Sequence, residues 1–156
     1  MKKTILLILT LITLIIINSS CKSTSATNDK QVETPNQYEE ILSGSHSNFE
    51  KKSFITIQSM EELEAIYATL NKKRTPKHKM PKIDFSKEVV VGLFMGNKNS
   101  GGYAIKINHI KSDDNYTAVF IGETKPSGIA TSVITQPFYL AKITKPTKPI
   151  RFITFN

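Results

Sequence analysis

The chain has 156 residues and a formal net charge of +8 at pH 7, with one cysteine, no tryptophan and 8% aromatic residues. A single cysteine excludes an internal disulfide framework and a thiolate-rich metal site. The small aromatic content gives no sign of a base-stacking platform. This length excludes a large multidomain enzyme and fits one domain with an additional segment.

The N-terminus is organised like a targeting segment. Lys2 and Lys3 form a cationic region, residues 4–17 are apolar or threonine, and Cys21 follows shortly after them. The apolar stretch is short for a bilayer, which needs about 20 apolar residues in a helix. The segment resembles the lipobox of bacterial lipoproteins. That resemblance implies that residues 1–20 are a removed signal peptide and that Cys21 is acylated, for example with palmitate. A signal anchor, and a secretory signal with an incidental cysteine, remain as alternatives.

The lipobox resemblance also implies a location. A lipoprotein would be anchored to a membrane of the bacterial cell envelope, on its periplasmic or surface side. The positive charge, which falls by two when Lys2 and Lys3 are removed, otherwise suggests nucleic acid as a partner. Because secretion separates the chain from cytoplasmic nucleic acid, we expect no nucleic-acid partner. The polyanions that such a secreted protein could bind are lipid head groups or acidic glycans.

A polar segment follows the cysteine. Residues 22–48 contain few apolar side chains and many Ser, Thr, Asn, Gln, Lys and Glu residues. Such a composition buries too little apolar surface to offset the entropy of ordering. The sequence therefore predicts an acylated cysteine and disordered linker over 21–48, with a short helix around 37–42 as an option, and a folded domain over 49–156.

The folded domain is predicted to begin with a strand and a helix. Residues 53–57 have the composition of a strand. Ser59 and Glu62 form a capping box. Apolar residues at helical spacing then predict an amphipathic helix over 60–71 that covers the core.

The pattern changes to a period of two after the helix. Residues 89–95 are apolar at nearly every position, which is typical of a central strand covered on both faces. The alternation and turn residues of the remaining chain predict four more strands. The fold class is therefore mainly β with one helix, an antiparallel sheet or sandwich-like domain of about six strands. The predicted strands are 53–57, 89–95, 103–108, 116–121, 138–143 and 150–155.

The sequence offers no catalytic constellation. His46, His78 and His109 lie far apart, and none has a partner at metal-ligand spacing. No serine occupies a Gly-x-Ser-x-Gly elbow, and Cys21 is assigned to lipidation. We therefore predict a protein that is not an enzyme, with no catalytic residue, no cofactor and no metal site.

One loop is the candidate for partner contact. It joins two predicted strands and is rich in glycine, which permits positive φ values or a close approach to another surface. A wide hairpin loop with glycine turns is the alternative interpretation. The candidate residues are Asn97, Lys98, Asn99, Ser100, Gly101, Gly102 and Tyr103.

The same region carries a family resemblance. Residues 91–105, with Ser100-Gly101-Gly102-Tyr103 at their centre, and the Thr-x-Pro-aromatic pattern of 135–143 resemble the C-terminal domain family of PrcB, a lipoprotein subunit of a bacterial surface protease complex. The resemblance covers about 89–143. It implies an accessory protein that binds a partner, in particular a protease, and stabilises or matures it without cleaving anything itself.

Two other functions remain open. A fainter resemblance to chagasin-type inhibitors of cysteine proteases implies that residues 97–103 enter a protease cleft. The excess of lysine is also compatible with a basic module that binds polyanions of the envelope. Neither the partner nor the oligomeric state follows from the sequence.

The order of the strands suggests an arrangement of the loops. In an up-and-down meander, alternate connections lie at the same end of the sheet. The loop 96–102 would then share one end with the connection 122–136. The lysine-containing segments 72–87 and 145–148 would lie at the opposite end. This leads to the hypothesis of a recognition surface at one end and a basic, membrane-facing end at the other.

Overall fold

A computed structural model describes residues 38–155. The predicted signal peptide, Cys21 and most of the predicted linker lie outside these residues. The described part is mainly β with one helix, which confirms the predicted fold class. Its elements are β1 (Tyr38–Gly44), β2 (Lys52–Ile57), α1 (Met60–Leu70), β3 (Glu88–Met95), β4 (Ala104–Ser112), β5 (Thr117–Thr124), β6 (Phe138–Thr144) and β7 (Ile150–Thr154).

The strands form two sheets that pack face to face. The first has the order β1-β6-β3-β2 and the second has the order β4-β5-β7. All neighbours are antiparallel except β5 and β7, which are parallel. Helix α1 covers the outer face of the first sheet, so the domain has three layers. The premise of a simple meander is wrong, because the consecutive strands β3 and β4 lie in different sheets.

Strand β3 is buried on both faces, as its apolar run predicted. Val89, Val91 and Leu93 belong to the core between the sheets. Val90 and Phe94 belong to the core between the sheet and the helix. Successive side chains of a strand point to opposite faces, so one continuous apolar run supplies both cores.

The first strand corrects the predicted domain boundary. The prediction of a linker is wrong for residues 38–48, and the optional helix is wrong for 38–42, because β1 pairs along β6 as an edge strand. An edge strand gains order from backbone hydrogen bonds, so it needs few apolar residues. Tyr38 adds a tie between the sheets, since its hydroxyl donates to the carbonyl oxygen of Ile107 at 2.9 Å.

Helix α1 follows the predicted boundaries closely. Its first turn is capped by Ser59, whose hydroxyl oxygen accepts from the backbone N–H of Glu62 at 3.2 Å. The Glu62 carboxylate in turn accepts from the backbone N–H of Gln58 at 2.7 Å. Leu63 and Leu70 are buried against the first sheet. Local capping and apolar spacing therefore account for this helix.

The domain has two distinguishable ends. We call the end where β3 finishes and β6 starts the loop end, and the opposite end the turn end. The structure brings the loop 96–102 and the connection 122–136 together at the loop end, as expected. Lys87 and Lys145 lie at the turn end, where the Lys145 backbone N–H donates to the Lys87 carbonyl at 2.7 Å.

The basic segment after the helix lies elsewhere than predicted. The sequence predicted that the whole segment 72–87 lies at the turn end. This is wrong for residues 72–78, because α1 runs from the turn end back to the loop end. The side-chain amide of Asn48 donates to the carbonyl of Thr69 at 2.9 Å. The rings of His78 and Phe138 are 6.4 Å apart. The basic segment that follows the helix therefore lies at the loop end.

Candidate functional site

Two loops form one surface at the loop end, which we call the rim: residues 97–103 and 125–136. The backbones of Lys98 and Thr135 exchange two hydrogen bonds, at 2.8 and 3.0 Å. Thr135 is only 4% exposed, and its hydroxyl donates to the carbonyl oxygen of Ser100 at 2.8 Å. The candidate loop is therefore joined along its length to the second loop.

Further hydrogen bonds hold both ends of the candidate loop. The Gly101 N–H donates to the Thr131 carbonyl at 3.0 Å. The Gln136 side-chain amide donates to the Asn97 side-chain oxygen at 2.8 Å, and the Asn97 N–H donates to the Glu50 carbonyl at 3.0 Å. Because of these contacts, residues 97–101 are fixed on the surface of the domain and do not form a free hairpin loop.

The glycines of the loop have different roles. Gly96 and Gly102 have φ values of +69° and +82°, in the left-handed region that favours glycine. A β-carbon at Gly102 would lie 2.9 Å from the Pro126 Cβ of the second loop. Gly101 has no positive φ, and a β-carbon there would come no closer than 4.0 Å to Val133. Two glycines are therefore required by the backbone, whereas Gly101 leaves room for a side chain.

Tyr103 fixes the base of the loop. It is half-buried and packs against the core between the sheets, and the Lys98 ammonium lies 5.5 Å from its ring centroid. It also lines a cleft of about 570 Å³ between the edge strands β1 and β4, together with Tyr139. Burial, and then the nearby Glu40 carboxylate, raise the pKa of Tyr139 to about 12. The Tyr139 hydroxyl therefore remains a hydrogen-bond donor at neutral pH.

The second loop carries exposed apolar residues that the sequence reasoning missed. Ile129 is 108% exposed, Ile134 is 68% exposed and Val133 is 43% exposed. Apolar side chains grouped on the surface are typical of protein-binding sites. The signal was present in the sequence, where these residues interrupt a connection of small polar residues without forming a strand. The sequence alone could not show that these side chains are left out of the core.

The remaining candidate groups have structural partners. His109 stacks on the Phe120 ring at 4.2 Å, and the His46 ring is hydrogen-bonded to the Ser45 hydroxyl at 2.9 Å. Between residues 38 and 155 there is no cluster of three or more His, Cys, Asp or Glu side chains that could hold a metal ion. In the same part of the chain, no helix has both the length and the apolar character needed to cross a bilayer.

The rim is linked to the end of the helix. The Gln136 side-chain oxygen accepts from the backbone N–H of Asn48 at 3.0 Å, while its amide group holds Asn97. Asn48 has a φ of +62°, which turns its side chain to the Thr69 carbonyl in the last turn of α1. A continuous chain of hydrogen bonds therefore runs from the candidate loop to the C-terminus of the helix.

Comparison with family models confirms the resemblance found in the sequence. Residues 89–144 match the model of the family described as PrcB C-terminal. The matched segment runs from β3 to the end of β6 and contains both loops of the rim. No curated protein and no solved structure matches the chain.

Proposed function

Because residues 89–144 belong to the PrcB C-terminal family, we propose that this chain is a lipid-anchored accessory protein of the bacterial cell envelope. The family is one of accessory domains and not of known catalytic ones. The chain binds a partner protein through the rim and stabilises or matures it. The partner class that the family suggests is a protease.

The observation that carries this proposal is the presence of large exposed apolar side chains on the second loop of the rim. Ile129 and Ile134 extend from a loop whose neighbour, residues 97–103, is hydrogen-bonded to it at several points. A preorganised surface loses less entropy on binding than a mobile loop does. The central apolar side chains of such a surface commonly contribute most of the binding free energy.

The geometry favours accessory binding over protease inhibition. A loop that enters a protease cleft presents its backbone to the enzyme. Here the Ser100 carbonyl is occupied by the Thr135 hydroxyl, and the Gly101 N–H is occupied by the Thr131 carbonyl. A broad platform of this kind fits a flat partner surface better than a narrow cleft.

The rim is tested by removing its exposed apolar side chains. We expect the double variant Ile129→Ser, Ile134→Ser to recover at least about tenfold less partner from native envelopes than wild type, since a tenfold change corresponds to about 1.4 kcal/mol. The matched control is Met60→Ser, which removes an exposed apolar side chain at the turn end. Equal recovery by the double variant and wild type would contradict the proposed site.

The anchor is tested separately at Cys21. In our proposal the acyl chains of Cys21 retain the protein on the membrane, and several chains anchor stably where one does not. We expect labelled palmitate to be incorporated by wild type and not by Cys21→Ser, a comparison that does not depend on whether the apolar segment 4–17 is removed from the variant. The control is Ser23→Ala, which changes a nearby residue and leaves Cys21 in place. Incorporation of palmitate by Cys21→Ser at the wild-type level would rule out lipidation at this residue.

A further inference from the structure

The segment after α1 is an unusual concentration of positive charge, which we call the basic loop: residues 72–79. All of its cationic side chains are exposed. None of them forms an ion pair with a carboxylate of residues 38–155. By contrast, Lys52, Lys142 and Lys148 each lie within 4.0 Å of a carboxylate oxygen. The cationic residues of the basic loop are Lys72, Lys73, Arg74, Lys77 and Lys79.

The basic loop is held in a defined shape. The Asn71 side chain closes it, because its oxygen accepts from the His78 N–H at 2.7 Å and its amide donates to the His78 carbonyl at 3.1 Å. The Arg74 N–H also donates to the Asn71 carbonyl at 3.3 Å. Burial, and then the charge of Arg74, lower the pKa of His78. The lowered pKa favours the neutral form of His78, whose backbone is part of the scaffold.

A cavity of about 460 Å³ lies between the basic loop and the last turns of α1. Lys72 and Lys77 line it together with Tyr67 and the exposed Met80. Tyr67 is only 4% exposed, and its hydroxyl has no hydrogen-bond partner in the described part of the chain. Buried polar groups are normally hydrogen-bonded. That hydroxyl is closed off from solvent, so the groups that the cavity offers to a ligand are the ammonium groups of Lys72 and Lys77, beside the Glu64 carboxylate.

The cavity is next to the rim. The chain of hydrogen bonds from Asn97 through Gln136 and Asn48 ends at the last turn of α1, where the basic loop begins. A partner seated on the rim would therefore lie beside the basic loop as well.

We propose that the basic loop and its cavity bind an acidic segment of the partner polypeptide. Carboxylates of that segment contact Lys72 and Lys77. Aliphatic parts of the segment pack on Met80. This inference rests on the proposed function, and it adds the chemical class of the surface that the partner presents.

Two observations favour a polypeptide over an anionic membrane as the occupant. The described chain starts with Tyr38, which pairs with Ile143 at the turn end, so the chain enters the domain far from the basic loop. A bilayer surface is also too broad to enter a cavity of about 460 Å³. A polypeptide can place a carboxylate beside Lys72 and Lys77 and an uncharged side chain beside Glu64, which also lines the cavity.

The test uses the full chain and a fluorescent peptide of alternating glutamate and alanine. We expect wild type to bind it with an affinity that falls as salt is added, because exposed charges are screened. Lys72→Gln, Lys77→Gln should weaken binding at least about tenfold. The matched control Lys87→Gln, Lys145→Gln removes the same charge at the turn end and should weaken it less than about twofold. Both lysine variants should remain folded by circular dichroism.

The opposite results are equally clear. Equal weakening by the two lysine variants, or unchanged binding by the basic-loop variant, would overturn the site. So would preferential binding to phosphatidylglycerol vesicles that is lost in the basic-loop variant.

The proposed function can fail independently. The rim variant Ile129→Ser, Ile134→Ser should bind the peptide normally and yet lose the partner. If the basic-loop variant binds no peptide but recovers the partner fully, the inference about the partner's acidic segment is wrong while the rim stands. If the rim variant keeps the partner, the proposed function fails regardless of the peptide result.

Discussion

Replacement of Gly96 by alanine is expected to lower the free energy of unfolding by about 2–5 kcal/mol. Gly96 has a φ of +69°, and a side chain in the left-handed region costs about 1–2 kcal/mol. A β-carbon would also lie 2.7 Å from the Lys52 nitrogen and 2.8 Å from the Glu50 oxygen, both in the backbone. Relief of that overlap requires a backbone shift, which adds about 1–3 kcal/mol. Urea denaturation measures the change.

Two other glycines separate these causes. Gly128 has a φ of +86°, but a β-carbon there would meet nothing within 4 Å. Gly128→Ala should therefore show only the conformational cost, about 1–2 kcal/mol. Gly101 has neither a positive φ nor a close contact, so Gly101→Ala should change the free energy of unfolding by less than about 0.5 kcal/mol. If Gly96→Ala destabilised the domain no more than Gly128→Ala, the close approach of Gly96 to the start of β2 would be wrong.

Truncation of Phe94 should destabilise the domain by about 3–5 kcal/mol, the usual cost for a buried phenylalanine changed to alanine. Phe94 is fully buried between the first sheet and α1. Its ring centroid lies 4.0 Å from that of Phe49 and 6.4 Å from that of Phe138. The cavity would therefore open where β3 and β6 meet at the base of the rim. Thermal or urea unfolding gives the size of the effect.

The matched control for this truncation is Phe155→Ala. It makes the same chemical change at a side chain that is 67% exposed, so the loss should be below about 1 kcal/mol. Phe94→Leu should fall between the two, because it keeps most of the apolar volume. Similar losses for Phe94→Ala and Phe155→Ala would contradict the three-layer packing.

The parts of the fold that could be predicted from the sequence depend on neighbouring residues. The cap at Ser59 and the apolar spacing after it determine α1, and the double-sided burial of β3 follows from its continuous apolar run. Strand β1 could not be recognised in the same way. Its order comes from pairing with β6, about a hundred residues later in the chain, and few of its own side chains are apolar.

The candidate site was predictable to a similar extent. The glycine-rich composition of 97–103 identified one loop, and the shared end with 122–136 was correct although the meander was not. The exposure of Ile129 and Ile134 depends on which residues the core leaves out, so it required the tertiary structure. The position of the basic loop depends on the direction of α1 across the sheet, which no local pattern contains. As a result, part of the charge that the sequence assigned to a membrane-facing end, that of residues 72–78, lies at the loop end.

The central claim is that the partner binds at the rim, and site-specific photocrosslinking in native envelopes tests it most directly. A photoreactive amino acid is placed at Ile129 on the rim, and at Thr147 at the turn end as the matched position. Both side chains are exposed, so neither replacement disturbs the core. We predict a crosslinked product with one protein, a protease or its precursor, from position 129 and none from 147. Crosslinking of a partner from position 147 alone would contradict the account.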